Sequence, residues 1–188
     1  MFVNMVIRPP RSNYSEENLP KQMDIGGKMF KSEAFEIHNN AGNKLCCSFV
    51  EPANDADRSG DTMPCVIYMH GNAGNKCEGL QYAKEVAAAG MNLCTFDFSG
   101  CGKSEGDWVT LGHKEKDDLK SLIEYLYDNK RVSTIGLWGR SMGAVSSLLY
   151  MKENPGTVNC AVLDSGFSSL TSVINSMAGM MGVPPDFV

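Results

Sequence analysis

Short runs rich in apolar residues recur along the chain and divide it into regular segments. The runs lie at residues 65–69, 91–98, 134–138 and 160–163, and polar residues, glycine or proline separate them. Runs this short and this continuously apolar are typical of strands that are covered on both faces. The pattern therefore predicts strands of a parallel sheet.

Helical patterns fill the intervals between these runs, at residues 78–89, 115–127 and 141–152. The middle interval places four apolar side chains on one helical face: Leu119, Leu122, Ile123 and Leu126. A further helix is predicted at residues 170–181. Strands alternating with helices are the order expected of a doubly covered parallel sheet, so we predict an α/β fold.

The first part of the chain has a different pattern. Polar and apolar residues alternate at residues 35–38 and in part of residues 45–50, which predicts an antiparallel β-hairpin leading into the parallel sheet. Residues 1–30 show no clear period and contain three prolines, as expected of an extended arm lying on a domain. We therefore predict an N-terminal arm over residues 1–30 and an α/β domain over residues 31–188.

The composition of the chain limits which partners it is expected to bind and which cellular compartment it is expected to occupy. The 188 residues carry a formal net charge of −5, which argues against a broad nucleic-acid-binding surface. The seven cysteines form no CxxC pair, so we expect no metal site and interpret them as buried free thiols of a reducing compartment. The sequence shows neither a transmembrane run nor a secretory signal. We expect a cytoplasmic protein without a cofactor.

The pentapeptide Gly139-Arg140-Ser141-Met142-Gly143 fits the pattern G-x-S-x-G. A predicted strand leads into it and a predicted helix follows, which is the strand–turn–helix setting of a nucleophile elbow. The glycines give a tight turn room on both sides, and the helix brings its positive end close to the serine hydroxyl. We predict that Ser141 is a catalytic nucleophile. The alternative is a glycine-rich turn without chemistry.

A second motif, His-Gly-Asn-Ala-Gly-Asn at residues 70–75, directly follows the first apolar run. A serine hydrolase stabilises its oxyanion with two backbone N–H groups, one from the residue after the nucleophile and one from the loop after an earlier strand. Met142 and Asn72 hold these two positions. His70 has two interpretations, a general base or a brace for the loop, and its place at the strand end favours the brace.

A third motif, glycine-rich, occupies residues 97–106 and predicts a turn after the second apolar run. A phosphate-binding interpretation of this turn is weak. Residues 100–104 lack the full spacing of a phosphate-binding loop.

These three motifs, in this order, resemble the α/β-hydrolase superfamily and, within it, the serine aminopeptidase-like branch. The resemblance covers roughly residues 31–170, including the Leu-Asp-Ser-Gly-Phe-Ser segment at residues 163–168. It implies that Ser141 is the nucleophile and that the backbone amides of Asn72 and Met142 form the oxyanion hole. It also implies hydrolysis of an acyl ester, thioester or amide through an acyl-enzyme. Similar members include esterases, lipases and protein depalmitoylases, so a small acyl substrate or an acylated protein is expected.

The histidines depart from the family pattern. The family order is serine, then acid, then histidine, whereas His38, His70 and His113 all precede Ser141. The resemblance therefore assigns no general base in this chain. Asp164 stands where some members carry the catalytic acid. Its alternative role is to brace the loop that follows it.

Three hypotheses about function follow. The family fold implies further strands, so we expect an α/β-hydrolase domain that lacks its C-terminal strands, either as a truncated form of an active serine hydrolase or as an inactive hydrolase-derived subunit that binds or scaffolds. A missing sheet edge would expose apolar surface, which a protein partner or a dimer could cover. A nucleotide or nucleic-acid binder on the same sheet is the third hypothesis. The net negative charge of the chain argues against this hypothesis.

Overall fold

A mixed seven-stranded sheet runs through the described part of the chain. The computed structural model describes residues 6–180 and residue 182, and their side chains other than those of 176, 177 and 180. The strands are β1 (Gln22–Ile25), β2 (Lys28–His38), β3 (Lys44–Pro52), β4 (Met63–Met69), β5 (Asn92–Phe96), β6 (Val132–Arg140) and β7 (Cys160–Asp164). Their order across the sheet is β1-β2-β3-β5-β4-β6-β7.

Strand direction divides the sheet into two parts. β1, β2, β3 and β5 pair antiparallel in that order, whereas β5, β4, β6 and β7 pair parallel. The predicted α/β fold, mostly parallel with an antiparallel hairpin, is confirmed. The sheet begins at Gln22, so the expected boundary between residues 30 and 31 falls inside β2. The expected outer limits, residues 1 and 188, lie outside the described residues.

Helices follow each of the parallel strands. They are α1 (Cys77–Leu80), α2 (Ala83–Ala88), α3 (Glu115–Asn129), α4 (Met142–Glu153) and α5 (Leu170–Met180), with short 3-10 turns at Glu16–Asn18 and Asp55–Asp57. The helix predicted at residues 78–89 is instead two, and Tyr82 at the break stacks on Tyr68 of β4 with ring centroids 5.2 Å apart. The predicted helix end at residue 181 lies outside the described residues. In the described part of the chain, no helix is both long and apolar enough to cross a membrane.

The core lies on both faces of the central strands. The predicted face of α3 is buried throughout, with Leu119, Leu122, Ile123 and Leu126 at 3% exposure or less. Every residue of β5 is buried, as the predicted parallel strands require. Burying a leucine or isoleucine side chain stabilises the fold by roughly 1.5–3 kcal/mol. These contacts fix the strands whose carboxyl ends carry the predicted site.

The burial of β7 differs from the prediction. All five of its residues are exposed, with Val162 at 55% and Leu163 at 40%. The predicted strand and its parallel pairing are confirmed, but the expectation that both faces are covered is wrong. β7 is the last strand in the sheet order and pairs only with β6 among the described residues, so fewer neighbouring elements cover it than cover the central strands.

The cysteines are all free thiols, as predicted. Five are buried: Cys46, Cys47, Cys65, Cys94 and Cys101. Cys77 is half-buried, and Cys160 is exposed because it lies on β7. The predicted burial therefore fails at the edge of the sheet.

Candidate active site

Ser141 sits on a sharp turn between β6 and α4. Its backbone has φ 50° and ψ −110°, a left-handed conformation that is rare for a residue with a side chain. Two hydrogen bonds hold the turn: Ser141 N–H donates to the Asp164 carbonyl at 2.8 Å, and Val145 N–H donates to the Ser141 carbonyl at 3.1 Å. Conformational strain of this kind, costing about 1–3 kcal/mol, persists where neighbouring structure enforces it.

The two glycines of the motif make this turn sterically possible. A Cβ atom on Gly139 would overlap the carbonyl of Gly143, and a Cβ on Gly143 would overlap the carbonyl of Met69 at the end of β4. The helix start therefore packs directly against the two strand ends. The predicted strand–turn–helix setting of Ser141 is present in the structure.

The loop after β4 lies beside this turn. β4 and β6 are parallel neighbours with Met69 opposite Gly139, so the residues that follow them emerge at the same edge of the sheet. A Cβ atom on Gly71 would lie 3.6 Å from the Cβ of Ser141. Met142 is the first residue of α4, and the first N–H groups of a helix have no acceptor within it. The structure thus brings the predicted oxyanion segments to the predicted nucleophile.

Asn72 belongs to a tight turn in that loop. Gly74 N–H donates to the Gly71 carbonyl at 3.0 Å, and Ala73 adopts φ 62°. The side-chain amide of Asn72 donates to the Val6 carbonyl at 3.1 Å. Its Oδ1 atom is buried without a hydrogen-bond partner among the described residues. The backbone of the loop is therefore strained at Ala73, and one polar atom of Asn72 lacks a hydrogen bond within the described part of the chain.

His70 braces this loop. The ring is fully buried, and its Nε2 accepts the Phe98 N–H at 3.2 Å. Nδ1 lies 2.7 Å from the Gly71 carbonyl, so we assign the proton to Nδ1, which donates to that carbonyl. Burial lowers the pKa of His70 below its usual range. With both nitrogens engaged, this neutral ring fits the bracing interpretation.

Asp164 contacts Ser141 through its backbone and not through its carboxylate. The carbonyl accepts the Ser141 N–H, whereas Oδ1 accepts the Ser165 hydroxyl at 2.7 Å. The side chain is exposed at the end of β7. The carboxylate is thus hydrogen-bonded to the first residue of the loop that follows β7, and the catalytic-acid role of Asp164 stays a prediction.

The other histidines lie elsewhere. His38 is an exposed residue at the end of β2, and His113 is exposed in the segment before α3. Within residues 6–180, no histidine makes a hydrogen bond with the Ser141 hydroxyl. The same range contains no group of three histidine, cysteine, aspartate or glutamate side chains that could hold a metal ion.

Sequence reasoning missed the carboxylate of Asp97. This side chain is fully buried at the end of β5. Its Oδ1 accepts the Lys76 N–H at 2.6 Å, and its Oδ2 accepts the Lys103 N–H at 2.8 Å and the Tyr14 hydroxyl at 2.7 Å. One carboxylate thus joins the loop after β4, the glycine-rich turn and the N-terminal arm. An aspartate at a strand end followed by a glycine-rich turn was the available signal.

Asp118, which lies in α3 and not in the glycine-rich turn itself, also binds this turn. Its carboxylate accepts the Ser99 N–H at 2.8 Å and the side-chain amide of Asn39 at 2.6 Å. Burial raises the pKa of Asp118 to about 6. The turn at residues 97–106 is therefore bound to buried carboxylates of the protein itself.

An apolar groove of about 550 Å³ opens next to the arm. It is lined by Val6, Ile7, Trp108, Val109, Leu111 and Leu170, among other residues. Val6 also accepts the hydrogen bond from Asn72. Val6 therefore links the groove to the loop that the sequence assigned to the oxyanion hole.

The mixed sheet and the strained serine turn at its carboxyl edge define an α/β-hydrolase fold. The family model described as "Serine aminopeptidase, S33" matches residues 60–183. The chain belongs to this hydrolase family.

Relatives and solved structures agree with this assignment. YqkD of Bacillus subtilis (strain 168) is 32% identical over 143 residues, which cover 72% of this chain and 44% of YqkD. Lysophosphatidylserine lipase ABHD12 of Danio rerio is 28% identical, over 57% of this chain and 29% of that protein. The Pyrococcus furiosus esterase Pf2001 superposes with a TM-score of 0.73 at 26% identity, covering 97% of this chain and 64% of the esterase. The chain spans less than half the length of YqkD.

Proposed function

We propose that this protein is a serine hydrolase that cleaves an acyl ester, thioester or amide through an acyl-enzyme on Ser141. One observation carries the proposal: Ser141 is held in a left-handed turn at the end of β6, and the neighbouring loop is so close that a Cβ atom on Gly71 would lie 3.6 Å from the Ser141 Cβ. Nucleophile elbows of this fold expose the serine hydroxyl in this way.

The proposed reaction has two steps. The Ser141 hydroxyl attacks the acyl carbonyl, and the backbone N–H groups of Asn72 and Met142 stabilise the oxyanion. The C–O, C–S or C–N bond then breaks, and the alcohol, thiol or amine leaves with a proton. Water releases the acid in the second step and returns the proton to Ser141. The base that accepts the Ser141 proton is not His70, whose two nitrogens bind backbone groups.

An acyl ester or thioester is the proposed substrate, either as a small molecule or on an acylated protein. The apolar groove of about 550 Å³ lined by Val6, whose carbonyl accepts a hydrogen bond from Asn72, supports this choice, because it offers an apolar surface to the acyl part. The names of two similar proteins, an esterase and a lysophosphatidylserine lipase, point to the same bond type. Residues 97–106 are bound to Asp97 and Asp118, which leaves little support for a phosphate-binding alternative.

A hydrolase-derived subunit without turnover is the second candidate. It is favoured by the lack of a histidine bonded to Ser141 within residues 6–180, and by the exposed edge of β7. Exposed strand edges are surfaces on which other chains can pair. In this case a partner protein or a second copy would cover β7.

We also propose a cytoplasmic location. All seven cysteines are free, and free thiols persist in reducing compartments. Measuring the fraction of oxidised thiols in protein isolated from its native cells would test this. Disulfides among the five buried cysteines would contradict it.

Chemical rescue separates the two candidates. If only the general base is lacking, added imidazole should accelerate hydrolysis of p-nitrophenyl butyrate beyond the rate of imidazole alone. General-base assistance is worth roughly 10²–10⁴-fold. We expect the protein-dependent increment to disappear in Ser141→Ala and to remain in Ser172→Ala, a matched change on the exposed side of α5. Equal rates for the original protein and Ser141→Ala would overturn catalysis by Ser141 and favour the subunit without turnover.

A further inference from the structure

Residues 6–19 of the predicted N-terminal arm, called the arm from here on, lie across the loops at the carboxyl edge of the sheet. The arm binds the loop that contains Asn72, residues 70–76, which we call the oxyanion loop. The Val6 carbonyl accepts the Asn72 side-chain amide at 3.1 Å. The carbonyl and the hydroxyl of Ser12 accept the Asn75 side-chain amide at 3.1 and 3.0 Å. The arm thus binds this loop at two points, one on each side of Ala73.

The arm also binds the glycine-rich turn. The guanidinium group of Arg11 donates to the carbonyls of Gly102, Ser104 and Gly106. The Tyr14 hydroxyl donates to Asp97 at 2.7 Å. The Asp97 carboxylate and the arm therefore form one hydrogen-bonded unit between the two loops.

An ion pair between a buried lysine and a partly exposed glutamate completes this unit. The Lys76 side chain is 1% exposed, and its ammonium lies 2.7 Å from Oε1 of Glu16 on the arm. The same ammonium donates to the Cys47 carbonyl at 3.2 Å. A buried ammonium is costly unless it is paired and hydrogen-bonded. Glu16 supplies the negative charge that stabilises the buried ammonium of Lys76, the last residue of the oxyanion loop.

The oxyanion loop needs support from outside itself. Ala73 has φ 62°, a conformation that costs free energy and persists only where surrounding contacts enforce it. The side-chain amide groups of Asn72 and Asn75 donate to acceptors on the arm and not to acceptors within the loop. The contacts with Val6, Ser12 and Glu16 come from the arm alone.

We propose that the N-terminal arm is a positioning element that holds the oxyanion loop in the conformation the reaction requires. The proposal deepens the function proposed above and rests on it for the role of Asn72. Glu16, Tyr14 and Ser12 act as positioning residues, since each contacts the loop or its buried anchor. They have no assigned contact with the acyl group.

Glu16→Gln and Glu17→Gln form a matched pair for testing this. Both changes remove one negative charge from neighbouring residues of the arm, but only Glu16 contacts Lys76, whereas Glu17 is exposed. Hydrogen bonds to charged groups are stronger than neutral ones. We therefore expect amide exchange at residues 70–76 to become about tenfold faster in Glu16→Gln and to stay unchanged in Glu17→Gln. Tyr14→Phe, with Tyr127→Phe as its control, should give the same result through Asp97.

A second measurement connects the loop to the reaction. The rate at which a fluorophosphonate labels Ser141 should fall in Glu16→Gln, well below the unfolding temperature of either variant. Faster exchange at residues 70–76 with an unchanged labelling rate would overturn the positioning role. Unchanged exchange in both Glu16→Gln and Tyr14→Phe would overturn the proposal whether or not the original protein is labelled. Failure of the original protein to be labelled would instead contradict the proposed function, and amide exchange would still decide whether the arm holds the loop.

Discussion

Ser141 owes its conformation to the two glycines around it. The residue has φ 50°, and the turn closes because Gly139 approaches Gly143 and Gly143 approaches Met69 more closely than any side chain permits. The contact between Gly139 and Gly143 lies within the pentapeptide, so its spacing was enough to predict that part of the turn, whereas the contact of Gly143 with Met69 depends on the pairing of β4 with β6. The same geometry makes the elbow sensitive to a single methyl group.

We expect Gly139→Ala to destabilise the protein by about 1–3 kcal/mol or more, the usual cost of forcing extra atoms into a packed site. Gly60→Ala is the control, because a Cβ there would lie 3.5 Å from the Thr62 carbonyl, an ordinary contact. Urea denaturation of both variants measures the difference. Equal midpoints for the two variants would show that the turn has more room than the structure describes.

Other features of the site could not be predicted residue by residue. The roles of Asp97 and Tyr14 depend on contacts between residues 83 positions apart in the sequence, and no local pattern reports such a pairing. His70 was easier to interpret, because a histidine at the end of a buried strand has backbone groups on both sides. The catalytic roles of Ser141 and Asn72 remain predictions.

At the level of elements, apolar patterning predicted the parallel strands and α3 to within a few residues. It missed β1, whose sequence Gln-Met-Asp-Ile has one buried residue in four and hence little apolar signal. It also predicted one helix where the structure has α1 and α2. Tyr82, which lies between them and stacks on Tyr68 of the sheet, fits the apolar period of a continuous helix, so the pattern does not reveal the break. β7 was predicted as a strand but not as an exposed one, since burial depends on neighbours and not on its own sequence.

The exposed edge of β7 leads to a prediction about association. Val162 is 55% exposed, and apolar edge strands pair with other chains unless charges prevent it. In the second candidate function, where a second copy covers β7, Val162→Lys should reduce self-association, measured by light scattering after size-exclusion chromatography. Leu148→Lys adds the same charge at a 47% exposed leucine of α4 and should leave association unchanged. Identical behaviour of the two variants would contradict a specific role of the β7 edge.

For the molecule as a whole, the parallel strands bring distant motifs to one edge of the sheet. The turn after β6, the loop after β4 and the turn after β5 meet there, and the N-terminal arm crosses them. Topology explains why three separated motifs could be interpreted together from the sequence, because parallel strands present their carboxyl ends on one side. The path of the arm was not predictable, because its contacts with Asn72 span 66 residues of sequence.

The central claim is that Ser141 is the nucleophile of an acyl-transfer site. The most direct measurement is to treat the protein with a fluorophosphonate and to locate the adduct by peptide mass spectrometry. The account predicts an adduct on Ser141 and no labelling of the Ser141→Ala variant. A folded protein that carries no adduct, or one labelled on a different serine, would contradict it.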